Sequence, residues 1–358
     1  MTFDLDKIVR TNIKNLKPYS SARTEFGGSA EVFLDANENA FGSPAGNNYN
    51  RYPDPLQTLL KGHISEFNNI ASSQIFVGNG SDEVIDLLIR IFCEPRRDEI
   101  IICSPTYGMY RVSAEINDVS VTEASLTDEF QLNVPAIFNA ISERTKLIFI
   151  CSPNNPTGNL MSRRDIVEIA KYFHGIVVVD EAYVHFAGEP SMINDLSKLP
   201  NLVVLQTFSK AWGMAGLRVG IAFASAEIVA LLNRVKPPYN VSSIAQSAVW
   251  DAFDHSAKLT DWIAVINTER QKLSEALGKF EFVKKIYPSD ANFILVKTDN
   301  ADGIHQYLVN KKIIIRNRSR VALCEGCVRI TIGTPDENDR LLEALDRFEN
   351  SSEIANNV

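Results

Sequence analysis

Lys210 has the surroundings of a chemically reactive amine in this 358-residue chain. It lies just beyond an apolar run, residues 203–205, that is typical of a buried strand, and a stretch rich in glycine and alanine follows it as far as Gly220. Burial disfavours the charged form of an amine, and a lysine with a lowered pKa can form a Schiff base and carry protons near neutral pH. A solvated loop lysine is the ordinary alternative, since most lysines are exposed.

Residues that are polar or suited to anion binding also follow other apolar runs that read as strands. They are Gly80, Ser81 and Asp82 after residues 75–77, Tyr107 after residues 100–103, Asn155 after residues 147–151, and Asp180 and Tyr183 after residues 175–179. Open α/β sheets bind ligands at the carboxyl ends of their strands. The sequence therefore predicts that these side chains meet Lys210 at one edge of a sheet.

Two of these motifs have ordinary readings beside the functional ones. The segment from Gly80 to Asp82 precedes a helical pattern, and the amides at such a helix start bind anions, yet the same residues are common as simple caps. No Gly-Lys-Ser/Thr follows, so the segment is not a P-loop. Tyr107 is suited to stacking on a flat ring, but an aromatic residue after a strand often packs in the core.

The alternation of continuous apolar strands with helical patterns predicts an α/β fold with a mostly parallel sheet covered on both faces. We expect an N-terminal arm with part of a small domain in residues 1–48, a large domain in 49–240, and an interdomain helix with a small α/β domain in 241–358. Residues 243–277 are expected to be a long helical region, and residues 313–316 a strand.

Composition excludes some functions and favours a location. The net charge of −8 argues against a nucleic-acid partner. No run of about 18 apolar residues predicts a membrane span, and the start of the chain does not resemble a secretory signal. We therefore expect a cytoplasmic protein with no membrane partner.

The five cysteines are scattered and odd in number, which favours a reducing compartment over a disulfide framework. Cys324 and Cys327 have the spacing of half a zinc site or a redox pair, but no second Cys/His pair follows at ligand spacing. An ordinary structural role is the simpler reading, and we expect no metal.

The order and spacing of these motifs, with Ser209, Arg218 and the distant Arg329, resemble the fold-type I pyridoxal-phosphate aminotransferases of class II along essentially the whole chain. A narrower resemblance is to the histidinol-phosphate aminotransferase branch. It is carried by residues 17–23, 34–39, 51–55, 105–110 and 329–333.

The resemblance implies pyridoxal 5′-phosphate as cofactor, held by Lys210 as an aldimine. Asp180 would keep the ring nitrogen protonated, Asn155 and Tyr183 would donate to the ring's phenolic oxygen, and Tyr107 would stack on the ring. The cofactor phosphate would contact Gly80, Ser81, Asp82, Thr207, Ser209 and Arg218. We expect Asp82 to act through its amide, with its carboxylate turned away. Lys210, Asp180 and Tyr183 would be the catalytic residues.

The resemblance also implies a homodimer, because Tyr52 matches a tyrosine that reaches the cofactor phosphate of the neighbouring subunit. The substrates would be L-histidinol phosphate and 2-oxoglutarate, converted by ping-pong kinetics to 3-(imidazol-4-yl)-2-oxopropyl phosphate and L-glutamate in histidine biosynthesis. The implied substrate contacts are Arg329, Arg316, Tyr19, Asn37 and Glu38, with Arg23 as a further candidate. Arg316 has the alternative reading of a surface arginine in a basic run.

Three other functions remain open at this point. Threonine-phosphate decarboxylase shares the fold, but usually opens with a His-Gly-Gly motif that this chain lacks. An aromatic amino acid aminotransferase would also use a flat pocket. A non-catalytic pyridoxal-phosphate-binding regulator would carry an added DNA-binding domain, for which the chain has neither room nor charge. Two departures from the branch, Ser104 before Pro105 and Phe208 before Ser209, touch no polar role.

Overall fold

The computed structural model describes residues 3–19, 31–46 and 49–356. Within these ranges, seven strands form one sheet in the order β1-β7-β6-β5-β4-β2-β3. The strands are β1 (Ile75–Gly78), β2 (Glu99–Ser104), β3 (Ser120–Ser125), β4 (Thr145–Cys151), β5 (Ile176–Asp180), β6 (Leu202–Thr207) and β7 (Gly220–Phe223). Strand β7 runs antiparallel to both of its neighbours, and the other neighbouring pairs are parallel. The prediction of a mostly parallel sheet is confirmed.

The apolar runs become central strands because both faces of the sheet are covered. In β5, Val177 and Val179 belong to one buried cluster while Ile176 and Val178 belong to another, on the opposite face. Strand side chains alternate between faces, so a strand buried on both sides must be apolar throughout. The polar residue that ends the run, Asp180, then lies at the carboxyl edge of the sheet.

Helices cover the sheet and build the remainder of the fold. In chain order they are α1 (Leu5–Ile8), α2 (Thr11–Lys14), α3 (Thr58–Asn68), α4 (Ser81–Phe92), α5 (Met109–Ile116), α6 (Val134–Ala140), α7 (Arg163–Tyr172), α8 (Ala226–Val235), α9 (Ser243–Phe253), α10 (Ser256–Leu277), α11 (Ala301–Asn310) and α12 (Pro335–Asn356). Among the described residues, none of the helices is both long and apolar enough to span a membrane.

A second sheet forms in the C-terminal part of the chain. Its strands are β8 (Val283–Ile286), β9 (Phe293–Thr298), β10 (Arg316–Asn317) and β11 (Cys327–Thr331), in the antiparallel order β10-β11-β9-β8. One face of this sheet, with Ile294, Val296, Val328 and Ile330, packs with buried residues of α10, α11 and α12 in a separate apolar cluster. Phe293, Leu295 and Cys327 on the other face belong to a cluster of the large sheet.

One expectation about local structure is wrong. The expected strand over residues 313–316 is reduced to β10, because the amide of Ile313 donates to Leu308 O at 2.9 Å and so belongs to the end of α11. The helical region expected over residues 243–277 is confirmed, and it consists of two helices separated at Asp254 and His255.

Candidate active site

A cavity of about 580 Å³ lies at the carboxyl edge of the large sheet. It brings together twelve of the residues predicted from the sequence. They are Ser81, Asp82, Tyr107, Asn155, Asp180, Tyr183, Thr207, Ser209, Lys210, Arg218, Arg316 and Arg329. Residues from both sheets therefore line one space, as the strand-end argument requires.

Other predicted residues lie elsewhere. Asn37, Glu38 and Tyr52 line a neighbouring cavity of about 820 Å³, which shares Arg218 with the first. The Glu38 carboxylate accepts from Arg51 Nη1 at 2.6 Å and from the Tyr52 amide at 2.7 Å, so within this subunit it positions the backbone at Tyr52. Tyr19 is exposed and lines neither cavity, and Arg23 falls outside the described residues.

Lys210 projects from a tight turn after β6. The Phe208 amide donates to Val219 O at 3.1 Å, and the Gly213 amide donates to Lys210 O at 3.0 Å. The side chain faces the cavity, yet desolvation by the surrounding protein lowers its pKa, and the positive charges of Arg329 and Arg218 add to this effect. Asp180 opposes it in part. The direction agrees with the prediction from sequence.

Asp180 is buried at the floor of the cavity. Burial raises the pKa of its carboxyl to about 6, although two hydrogen bonds oppose the shift. Tyr110 Oη donates to Oδ2 at 2.7 Å, and the Ala182 amide donates to Oδ1 at 3.1 Å. The carboxylate is therefore fixed in orientation and is mostly ionised at neutral pH.

Tyr110 is a site residue that the sequence argument missed. It is fully buried, stacks on Phe149 with ring centroids 4.8 Å apart, and meets Tyr107 edge-on at 5.6 Å. Its hydroxyl reaches a carboxylate 70 positions away in the sequence. The only available signal was its place three residues after Tyr107, at the first turn of α5.

An anion cradle is formed where α4 begins beside the end of the Lys210 turn. No side chain in the described residues caps the amides at the start of this helix. A Cβ on Gly220 would lie 2.2 Å from Ser81 N, and a Cβ on Gly80 would lie 2.8 Å from Arg218 Nη2. Glycine at both positions thus lets backbone and guanidinium approach closely, as anion recognition requires.

Arg218 holds this cradle together. Its backbone is in the left-handed region (φ 55°), which residues other than glycine rarely adopt. Its Nη1 donates to Ser209 Oγ at 3.4 Å, and its Nη2 lies 3.4 Å from Asp82 Oδ2. The expectation that the Asp82 carboxylate turns away is therefore wrong, because it faces Arg218 and also accepts from Tyr107 Oη at 3.2 Å.

The opposite wall carries the arginines of the small sheet. Arg316 and Arg329 are direct partners in the antiparallel pairing of β10 with β11, so their side chains emerge on the same face. The Arg329 guanidinium lies 5.1 Å from the centroid of the Phe293 ring and donates from Nη1 to Asn155 Oδ1. Arg316 is exposed but lines the cavity.

The cysteines lie apart from this chemistry. Cys324 and Cys327 are free and buried, and burial raises the pKa of each thiol. In the described residues no group of three or more His, Cys, Asp or Glu side chains could hold a metal ion.

The sequence matches the model of a known family, aminotransferase class I and II, over residues 26–345. The chain belongs to this aminotransferase family. Among its curated relatives, the histidinol-phosphate aminotransferase of Cytophaga hutchinsonii is 53% identical over 97% of this chain and 100% of that protein.

Solved aminotransferase structures share the fold. The histidinol-phosphate aminotransferase from Clostridium acetobutylicum superposes with a TM-score of 0.79 at 26% identity, covering 85% of this chain and 92% of that one. The enzyme of the same name from Sinorhizobium meliloti, solved in complex with pyridoxal-5′-phosphate, gives a TM-score of 0.79 at 22% identity, covering 96% and 98%. The expected fold-type I architecture is confirmed.

Proposed function

We propose that this chain is a histidinol-phosphate aminotransferase of histidine biosynthesis, with pyridoxal 5′-phosphate as its cofactor. It transfers the amino group of L-histidinol phosphate to 2-oxoglutarate and yields 3-(imidazol-4-yl)-2-oxopropyl phosphate and L-glutamate. The identity of 53% to a curated enzyme of this name, over its whole length, supports the substrate.

The observation that carries the proposal is the set of side chains that line the cavity at the carboxyl edge of the large sheet. A lysine with a lowered pKa, a buried carboxylate and the guanidiniums of Arg316 and Arg329 line one space. Such a combination serves chemistry at an amine-bearing carbon whose substituent is an anion. Neither threonine-phosphate decarboxylation nor aromatic transamination is favoured by a separate feature of the site.

The residues present fit the cofactor. The open start of α4, with Gly80, Ser81 and Asp82, and the side chains of Thr207, Ser209 and Arg218 would hold its phosphate. Tyr107 would cover the ring, Asn155 and Tyr183 would donate to its oxygen, and Asp180 would face its nitrogen. When bound, the cofactor supplies an electron sink for the bond-breaking at the substrate carbon.

Each catalytic residue has a defined role in this proposal, and Lys210 has two. Lys210 Nζ would hold the cofactor covalently, and would later take and return the proton of the substrate's amine-bearing carbon. The lowered pKa favours the neutral form of the amine, which this work requires. Asp180 supplies a fixed negative charge, oriented by Tyr110 and the Ala182 amide. Tyr183 would donate a hydrogen bond from its hydroxyl to the oxygen of the cofactor ring.

The arginines recognise the anionic end of each substrate in turn. A planar guanidinium pairs with a phosphate or a carboxylate through two parallel hydrogen bonds, so Arg329, with Arg316 beside it, serves both substrates. Since both use the same cavity, the first product must leave before the second substrate enters. Ping-pong kinetics follow from this sharing.

Further parts of the proposal concern assembly. We assign Tyr19, Asn37 and Glu38 to the substrate entrance and Tyr52 to the cofactor phosphate of the neighbouring subunit in a homodimer. Tyr52 is half-exposed and stacks on Tyr239 with centroids 4.4 Å apart, a rigid arrangement suited to such a contact.

The same proposal includes a cytoplasmic location and a division of the chain into three parts. These parts are residues 1–48, 49–240 and 241–358.

Glutamate formation from 2-oxoglutarate tests the substrate. The purified protein is offered L-histidinol phosphate, L-phenylalanine or O-phosphothreonine, each at equal concentration, and glutamate is measured by a coupled dehydrogenase. We expect the highest kcat/KM with L-histidinol phosphate. A higher value with phenylalanine, or release of carbon dioxide from phosphothreonine, would contradict the assignment.

A further inference from the structure

Arg318 is a half-buried cation in the cavity to which no role has yet been given. It lines the same space as Arg316 and Arg329. Its Nε atom is buried and has no hydrogen-bond partner among the described residues, and the same holds for Arg329 Nε. Within residues 3–19, 31–46 and 49–356, none of the three guanidiniums forms an ion pair with a carboxylate.

The strand register explains why Arg318 faces the cavity. Arg316 pairs with Arg329 across β10 and β11, and the Arg318 amide continues this ladder by donating to Cys327 O at 2.8 Å. Side chains two positions apart in an extended segment share a face, so Arg318 emerges beside Arg316. Asn317, between them, points the other way and bonds to Asp302 of α11.

Three guanidiniums on one face repel each other. Burial and the charge of Arg316 lower the pKa of Arg318, and burial and the charge of Arg318 lower the pKa of Arg329. Removing a guanidinium from water without an opposite charge is unfavourable, so the arrangement costs stability unless an anion enters. The cluster is therefore built for a ligand more strongly charged than one carboxylate.

We propose that Arg318 is a specificity-determining residue that binds the phosphate of the phosphorylated substrate and favours its dianion over the carboxylate of glutamate. The inference rests on the proposed function and deepens it. A phosphate monoester carries nearly two charges and three acceptor oxygens at neutral pH, whereas a carboxylate offers one charge and two oxygens. Arg316 and Arg329 match the carboxylate, and Arg318 adds the donors that only the phosphate uses.

The test compares the two half-reactions in R318Q, each followed by the absorbance of the bound cofactor after mixing with one amino donor. We expect kcat/KM for L-histidinol phosphate to fall about 10- to 100-fold, the range for losing a hydrogen bond to a charged group. The value for L-glutamate should change less than about 3-fold, because its carboxylate does not use Arg318. R320Q, in the exposed arginine of the same segment, is the matched control and should leave both values unchanged.

The pH profile and inorganic phosphate give readouts that a structural role would not move. In the wild type, kcat/KM for L-histidinol phosphate should rise through pH of about 6 as the dianion forms, and this rise should be smaller in R318Q. Inorganic phosphate should inhibit the glutamate half-reaction of the wild type more strongly than that of R318Q. Equal inhibition would overturn the inference.

The outcomes separate this inference from the proposed function. A wild type that does not react with L-histidinol phosphate overturns both. A reactive wild type with equal losses for the two donors in R318Q, or with no loss, overturns the role of Arg318 alone. If R318Q does not fold, R318K decides, because it keeps the charge without the planar fork; a loss confined to L-histidinol phosphate supports the inference, and any other pattern contradicts it.

Discussion

The hydrogen bond from Tyr110 to Asp180 joins a residue without a reactive role to the charge on which the cofactor depends. In Y110F the carboxylate loses a donor at 2.7 Å in a buried environment, so its pKa should rise further above 6. A hydrogen bond to a charged group contributes roughly 1.5–3 kcal/mol, which corresponds to about one to two pH units. Asp180 would then be partly protonated at pH 7.

We therefore expect cofactor affinity in Y110F to weaken already as the pH falls through about 8 to 7, earlier than in the wild type. The measurement is the cofactor dissociation constant as a function of pH. Y172F, which alters an exposed tyrosine, should keep the wild-type profile. Identical profiles for Y110F and the wild type would show that the hydroxyl does not control Asp180.

The raised pKa of Asp180 also predicts an effect on the stability of the fold. Its pKa is about 6 in the fold against 3.8 in the reference state, so the folded protein binds the proton more tightly. Above pH 6 the folded protein carries Asp180 in its unfavourable charged form, which lowers the free energy of unfolding. This loss of stability disappears as the pH falls towards 4. D180N removes the buried charge, so the cofactor-free variant should be more stable than the cofactor-free wild type at pH 8 by up to roughly 3 kcal/mol.

Chemical denaturation of the cofactor-free proteins at several pH values measures this difference. The advantage of D180N should shrink to less than about 1 kcal/mol at pH 4, where the carboxyl is protonated in the folded wild type and about half protonated in the unfolded chain. An advantage that does not change with pH would mean that Asp180 is not the group responsible. The same variant should lose most of its activity, because the fixed charge is gone.

At the scale of elements, the contact between β7 and the start of α4 positions the anion cradle. A Cβ in G220A would meet Ser81 N at 2.2 Å, and this backbone atom cannot move without displacing the helix start. We expect G220A to fold less stably and to bind inorganic phosphate and the cofactor at least about tenfold more weakly. G216A is the control, since a Cβ there meets nothing within 4 Å.

Titration of both variants with the cofactor, followed by fluorescence, checks this prediction. G216A should match the wild type in affinity and in melting temperature. If G220A retained wild-type affinity, the close approach of β7 to the helix start would have no part in the cradle.

The sequence was sufficient for elements whose burial dictates their composition. Strand β5 could be predicted because both faces are buried, and its end at Asp180 then located the site. Long-range partners could not be predicted, since nothing in the local pattern links Tyr110 to a residue 70 positions later. Residues 313–315 were misassigned because an apolar run near a helix end has the same composition as a buried strand.

The arginines of the small sheet also show what the sequence alone could not predict. Arg329 could be found by its motif, but Arg318 differs from its exposed neighbour Arg320 only in which way the chain turns after β10. The pairing of the Arg318 amide with Cys327 O fixes that direction. The register between two strands depends on the whole fold, and the alternation of residues in so short a segment does not determine it.

At the scale of the whole molecule, the proposed homodimer predicts complementation. K210A and Y52A should each be nearly inactive alone. In a mixed dimer, the Y52A subunit has its own Lys210 and receives the partner's Tyr52, so one site of two is intact. Equilibrated mixtures should recover up to about one quarter of wild-type activity, since half of the dimers are mixed. No recovery in confirmed mixed dimers would contradict a shared site.

The most direct test of the account asks which residue carries the cofactor. The purified protein is reduced with borohydride, digested and analysed by mass spectrometry for the peptide bearing the reduced cofactor. We expect the cofactor on Lys210 alone in the wild type and on no lysine in K210A, together with loss of L-histidinol phosphate turnover. Attachment to another lysine, or an unmodified Lys210 in active protein, would contradict the assignment of this cavity as the active site.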